Sequence, residues 1–245
     1  MGGGETMSAG APPGMLYGLG VGPGDPELMT LKALRILRAA PVVAYPSLES
    51  GKSFARDVVA RWLAPDKHEI PIGIPMTQER APAQGAYARA VVEIARHLDS
   101  GQDVACLCEG DPLFYGSFMY LAGRLAGHYR IEVVPGVTSL VACAAALGHG
   151  LAARDDVLAV IPATLDEAAL AARLEGVEAA AIVKLGRHFV KVRTLLNRLG
   201  LAPHARYIER ASLSNQRILP LDGVDPTEVP YFSMILIHKR GEAWR

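Results

Sequence analysis

The sequence predicts an α/β protein of two lobes, with mostly parallel or mixed sheets and a ligand cleft between them. Three observations lead there. Short apolar runs alternate with segments of helical spacing, the pattern of strands that cross over through helices. Four of these runs end in Gly/Pro-type turns that open into helices, at 18–26, 108–112, 135–139 and 184–187. The alternation also begins a second cycle after about Pro135, without a conspicuous linker. Ligands of α/β proteins gather at the carboxyl ends of parallel strands. Glycine there lets a ligand approach the backbone, because no Cβ intervenes. Four such turns imply a cleft built mostly from main chain, and a small-molecule enzyme.

Residues 1–14 are rich in Gly, Ala and Pro and lack the basic start and apolar core of a secretory signal. They are expected to form a disordered leader, followed by an N-terminal α/β domain over 15–134 and a C-terminal one over 135–245. Leu16 to Val21 reads as a strand closed by Gly22-Pro23-Gly24. Asp25-Pro26 is a helix-start pair, with the carboxylate available as a cap. Leu28, Leu31, Leu34 and Leu37 then recur at helical spacing. A strand over 41–46, a helix over 54–63, a strand over 68–72 and a helix over 87–98 follow. Next come a central strand over 103–108, a helix over 117–126, a strand over 131–134 and a small-residue helix over 138–147. The second cycle runs strand 157–161, helix 166–174, strand 180–185, helix 189–199, and closing strands at 206–209 and 231–238.

The chain has 245 residues, half of them hydrophobic and a fifth charged, the profile of a globular α/β protein. Its formal net charge is zero, which argues against a nucleic-acid binder dominated by phosphate contacts. No apolar run is long enough to cross a bilayer, so no membrane partner is expected. Three cysteines, Cys106, Cys108 and Cys143, sit in apolar segments and read as buried reduced thiols, which points to the cytoplasm.

Several familiar motifs fail on spacing. A dinucleotide fingerprint begun at Gly18 or Gly20 meets Pro23 or Asp25 where its third glycine belongs. Gly51-Lys52-Ser53 lacks the upstream glycine of a phosphate loop, since Pro46 stands there, and reads as a solvated loop. The seven histidines are scattered, and no metal-ligand spacing is present, so no protein-bound metal is expected. There is no Gly-x-Ser-x-Gly elbow to supply a hydrolase nucleophile.

The ordered set of turns is more specific than any one of them. The stretch from Gly20 to Ala33, Gly110-Asp111-Pro112, and Pro135-Gly136-Val137-Thr138-Ser139 resemble, in order, three signatures of the tetrapyrrole (corrin/porphyrin) methylases. The resemblance runs from Leu16 to the C-terminus. Within the family, segments 108–118, 153–158 and 183–189 most resemble the branch that methylates precorrin-2 at C20 in corrin biosynthesis. A branch acting on the cobalt-bearing precursor or at another ring carbon shares the motifs. A non-catalytic tetrapyrrole- or nucleoside-binding protein is the alternative from another class.

The resemblance implies an S-adenosylmethionine-dependent C-methyltransferase, usually homodimeric, with a polycarboxylate tetrapyrrole as substrate. By that analogy Pro23, Glu109, Gly110, Asp111, Ser117, Thr138, Ser139, Leu185 and, more weakly, Ala211 line the methyl-donor site. The acidic substrate calls for cations, and Arg187, His188 and Arg210 are the residues put forward, because guanidinium suits carboxylates. Lys191 and Arg193 read instead as a solvated helix face. No covalent nucleophile is required. Asp155, Glu109 and Tyr115 are the candidates for a base that removes the proton from the methylated carbon.

Overall fold

Strand β4 (Val104–Cys108) is buried along its whole length, which requires a place inside a sheet covered on both faces. The computed structural model describes residues 12–74 and 80–241. With β1 (Met15–Gly20), β2 (Val42–Ser47), β3 (His68–Gly73) and β5 (Arg130–Val134), β4 forms a sheet in the order β3-β2-β4-β1-β5. Every pairing in it is parallel. β1 is flanked by β4 and β5, so three of the four glycine turns leave neighbouring strands at the same edge.

Helices α1 (Leu31–Ala39) and α2 (Phe54–Val59) belong to one face of this sheet, where Ala33, Leu37, Val58 and Val59 pack on Leu19, Val43, Ala105 and Leu107. Helices α3 (Arg80–Asp99) and α4 (Phe118–Leu125) belong to the other, where Ile94, Leu98, Phe118 and Leu121 meet Leu16, Val42, Cys106 and Cys108. Alternate residues of β4 therefore serve two separate cores, as the period of a strand requires. All three cysteines are free and buried, and burial pushes Cys106 and Cys143 up to about 12, so none is a reactive thiolate.

Asp25-Pro26 opens a helical turn, but a short one. Pro26–Leu28 makes a single 3-10 turn, and α1 starts later with Thr30 as its cap, whose Oγ1 accepts from the Ala33 amide at 3.2 Å. The inward face is accordingly Ala33, Ile36 and Leu37, while Leu31, the first helical residue, is 87% exposed. Ser53 of the rejected phosphate-loop motif is the buried cap of α2, its Oγ accepting from the Arg56 amide at 3.2 Å. Residues 1–11 of the expected leader lie outside the described residues, but Gly14 already belongs to the fold. Its amide donates to the Leu98 carbonyl at 2.8 Å.

The second sheet contains β6 (Leu158–Pro162), β7 (Ala179–Val183), β8 (Ala205–Glu209), β9 (Arg217–Leu219) and β10 (Ser233–His238) in the order β6-β7-β10-β8-β9. Only β6 and β7 pair parallel; the rest is antiparallel. Helices α6 (Glu167–Glu175) and α7 (Phe189–Arg198) cover a core of Ile161, Ile182, Tyr207 and Ile235, and α5 (Ser139–Leu147) packs against β8 and β10. Asp166 caps α6 through Oδ1 and the Ala169 amide, 2.8 Å. β10 is buried throughout, whereas Tyr231 and Phe232, expected at its start, lie before it and are 58% and 39% exposed.

The chain divides into two compact units: residues up to Gly22 with Pro26–Val137, and Pro23–Asp25 with Thr138–Arg245. The first and third signatures both straddle that division, since Pro23–Asp25 groups with the second unit and Thr138 begins it.

Candidate active site

In the first unit three turns are packed glycine on glycine. A Cβ on Gly20 would fall 2.5 Å from the Gly136 Cα and 2.7 Å from the Gly110 carbonyl oxygen; one on Gly136 would fall 2.0 Å from that oxygen. These obstacles are backbone, so no rotamer relieves them. Gly110 and Gly22 exchange amide-to-carbonyl bonds of 2.8 and 3.3 Å, an isolated antiparallel bridge between the turns after β4 and β1. Gly18 serves another purpose: a Cβ there would lie 2.5 Å from the Phe118 ring, so this glycine admits α4 against β1.

Asp111 locks the second turn to the third. Its Oδ1 accepts from the Leu113 amide at 2.8 Å and its Oδ2 from the Gly136 amide at 3.0 Å. Ser117 stands before α4 without capping it, and its hydroxyl instead bonds Tyr87. Glu109 follows β4 directly. Its side chain keeps solvent access, yet the surrounding protein displaces enough water to raise its carboxyl above the ordinary range. No hydrogen bond or ion pair to that carboxyl is found among the described residues.

In the second unit Thr138 occupies the N-cap position of α5, with extended φ and ψ of −79° and 155°, but its side chain makes no capping bond. Simple N-capping therefore does not account for the residue. Ser139 is exposed on the first turn. Leu185 and Ala211 are buried, Leu185 completely and within the second core, so both can offer a ligand little except main chain.

Of the cations, Arg187 is exposed beside Gly186. His188 is held below its usual value by burial and then by Lys191 and Arg187, so near neutral pH it offers an N–H rather than a charge. Arg210 donates to Glu209 at 2.5 Å. Lys191 and Arg193 are not a solvated face. The Lys191 ammonium binds the carbonyls of Ala163 and Leu165, and Arg193 lies over the Phe189 ring at 5.2 Å and reaches the Val224 carbonyl. Asp155 is exposed; its neighbour Asp156, which nothing in the sequence distinguished, is the buried one. Asp156 accepts from the Ala153 amide at 2.7 Å and pairs with His238 at 3.0 Å and with Arg240.

Five non-glycine residues among those described have positive φ: Tyr115, Arg154, Lys184, Arg210 and Ser212. Each such conformation costs of the order of 1–3 kcal/mol and persists only where the surroundings impose it. Lys184 lies in the fourth glycine turn, Tyr115 lies three residues beyond the second, and Arg210 and Ser212 flank Ala211.

Main-chain turns that exclude side chains, at the carboxyl ends of adjacent parallel strands, define a binding fold for a small ligand. A family model described as tetrapyrrole (corrin/porphyrin) methylases matches residues 15–223. The chain belongs to that family. It is 42% identical over 232 residues to a precorrin-2 C(20)-methyltransferase of Sinorhizobium sp., covering 91% of this chain and 95% of the relative. It is 46% identical to the cobalamin biosynthesis protein CobIJ of Mycobacterium tuberculosis (strain ATCC 25618 / H37Rv), covering 91% of this chain but only 46% of that relative. The chain thus spans about half the length of that longer protein. The uroporphyrin-III C-methyltransferase of Thermus thermophilus, solved with S-adenosylhomocysteine, aligns with a TM-score of 0.67 at 29% identity, over 92% of this chain and 98% of that one. No helix among the described residues is long and apolar enough to cross a membrane.

Proposed function

We propose that the protein transfers a methyl group from S-adenosylmethionine to C20 of precorrin-2, giving precorrin-3A, in corrin biosynthesis. The match along nearly the whole length of the Sinorhizobium enzyme carries the substrate assignment. The glycine-on-glycine turns, where a Cβ would strike backbone, support a donor gripped through main chain.

The residues put forward for the donor are Glu109, Gly110, Asp111 and Ser117 of the first unit, and Pro23, Thr138, Ser139, Leu185 and Ala211 of the second. Asp111 serves by holding the second and third turns together, since both its oxygens are taken by amides. Thr138 offers a hydroxyl that the helix does not use. Bound there, the donor supplies a methyl already activated by positive sulfur, so the chain needs no nucleophile of its own. Its residues orient the two reactants and exclude water, an effect worth up to about 7–11 kcal/mol in favourable cases. Arg187 meets the acidic macrocycle as a charge and His188 as a hydrogen-bond donor.

A proton must leave the methylated carbon. Of Asp155, Glu109 and Tyr115, Glu109 is best suited to receive it on a carboxylate oxygen. Both side chains keep solvent access, but Glu109 follows the central strand directly and has its basicity raised by the protein around it. Incubation with precorrin-2, with and without cobalt, and isotopically labelled S-adenosylmethionine tests the proposal. A single labelled methyl at C20 is expected; label at another carbon, or none, overturns it.

A further inference from the structure

Glu209 is a buried carboxylate for which methyl transfer has no evident use. Its side chain is 0% exposed. Oε2 accepts from the Tyr207 hydroxyl at 2.6 Å, while Oε1 accepts from Arg210 Nη1 at 2.5 Å and from Arg217 Nε at 2.7 Å. Arg217 also lies 3.8 Å from Glu228. Buried ion pairs are poor sources of net stability, because desolvation offsets their attraction and apolar residues of similar volume often serve as well. What such a pair does supply is geometry.

That geometry is needed immediately beyond β8. The backbone turns left-handed at Arg210 (φ 51°) and again at Ser212 (φ 71°). The Arg210 amide donates to the Phe232 carbonyl at 2.7 Å, and its guanidinium folds back onto Glu209. The Leu213 amide closes on the Arg210 carbonyl at 3.0 Å, and the Ser212 amide donates to Gln216 Oε1 at 2.9 Å. The loop so formed seats the tip of the first glycine turn. Ser212 Oγ accepts from the Asp25 amide at 3.1 Å, and a Cβ on Gly24 would lie 2.5 Å from Leu213 Cδ2. Ala211 and Pro23, two residues put forward for the donor, adjoin the two halves of this seat.

We infer that Glu209 is a positioning residue of the methyl-donor site, holding the 210–213 loop through Arg210 and, through Ser212, the Gly24–Asp25 turn. The inference rests on the proposed donor site, and one set of titrations separates the two. S-adenosylhomocysteine is titrated calorimetrically into the wild type, Glu209→Gln, Ser212→Ala and the double variant, with a thermal melt of each. Binding to the wild type but about tenfold weaker binding to each single variant is expected. If both act through one loop, the double variant loses far less than the hundredfold that independent effects would multiply to. No binding to the wild type overturns the donor site itself. Wild-type binding with unchanged affinity in Glu209→Gln overturns the positioning role, even if that variant melts earlier. Should Glu209→Gln fail to fold, Ser212→Ala decides alone, and unchanged affinity there overturns the inference.

Discussion

The two units fix their turns by opposite means. In the first, Gly20, Gly110 and Gly136 bring three turns into backbone contact by having no side chains, and one carboxylate, Asp111, ties two of them through amides. In the second, buried charges shape the loops: Glu209 gathers two arginines and a tyrosine, and Asp156 holds His238 and Arg240. The difference follows from the sheets. Parallel strands β4, β1 and β5 end side by side, so their turns crowd and must be small. The antiparallel part of the second sheet sends its chain ends apart, and side chains must span what backbone cannot.

The sharpest break of this comparison comes from removing a charge in the second unit. Asp156→Ala removes the buried carboxylate that accepts from the Ala153 amide and pairs with His238 and Arg240, and should cost about 3–5 kcal/mol, the usual result of breaking one side of a buried pair. A loss below about 1 kcal/mol in urea denaturation would mean that the cluster is incidental. In the first unit Gly136→Ala should cost about 3 kcal/mol, the upper part of the usual overpacking range, because the new Cβ meets the Gly110 oxygen at 2.0 Å. Gly123 provides the control. It lies within α4 with nothing inside 4 Å of an added Cβ, so Gly123→Ala should stabilise by about 0.5–1 kcal/mol. Equal destabilisation by both alanines would break the argument from close backbone contact.

The same contrast explains what the sequence made legible. A glycine required by close packing is visible as a glycine, and the turns at Gly20, Gly110 and Gly136 stood out for that reason. Strand and helix order was readable because short apolar runs alternate with segments of helical spacing. Glu209 and Asp156 were not readable as buried residues. Their partners Arg217, His238 and Arg240 are 8 to 84 positions away, and a carboxylate beside Arg210 or Asp155 looks like any surface charge. The stripe Leu28, Leu31, Leu34, Leu37 misled because a strict three-residue step drifts round a helix of 3.6 residues per turn, leaving Leu31 in solvent. The three-residue β9 carries too little pattern to be seen at all.

Glu109 and Glu209 sharpen the comparison to a single ionisation. Burial pushes both carboxyls upward. At Glu209, Tyr207, Arg217 and Arg210 more than reverse the effect, and the net shift is downward; Glu109 meets no such partner among the described residues and stays raised. The lowered Glu209 contributes stability that is present above the ordinary glutamate value and lost as pH falls through its folded value. The raised Glu109 does the reverse. It favours the folded state while protonated, and that contribution disappears as pH rises through its folded value, leaving a charge that costs a little at neutral pH. Urea midpoints at pH 4, 5.5 and 7 should therefore move in opposite senses. Glu209→Gln should lose most against wild type at pH 7 and less at pH 4. Glu109→Gln should match or slightly exceed wild type at pH 7, with the difference shrinking in acid, while its methyl transfer falls. Such a pairing of gained stability with lost turnover is what a functional charge held without a partner predicts. A Glu109→Gln protein that is less stable than wild type at pH 7 would make that carboxylate a structural group instead.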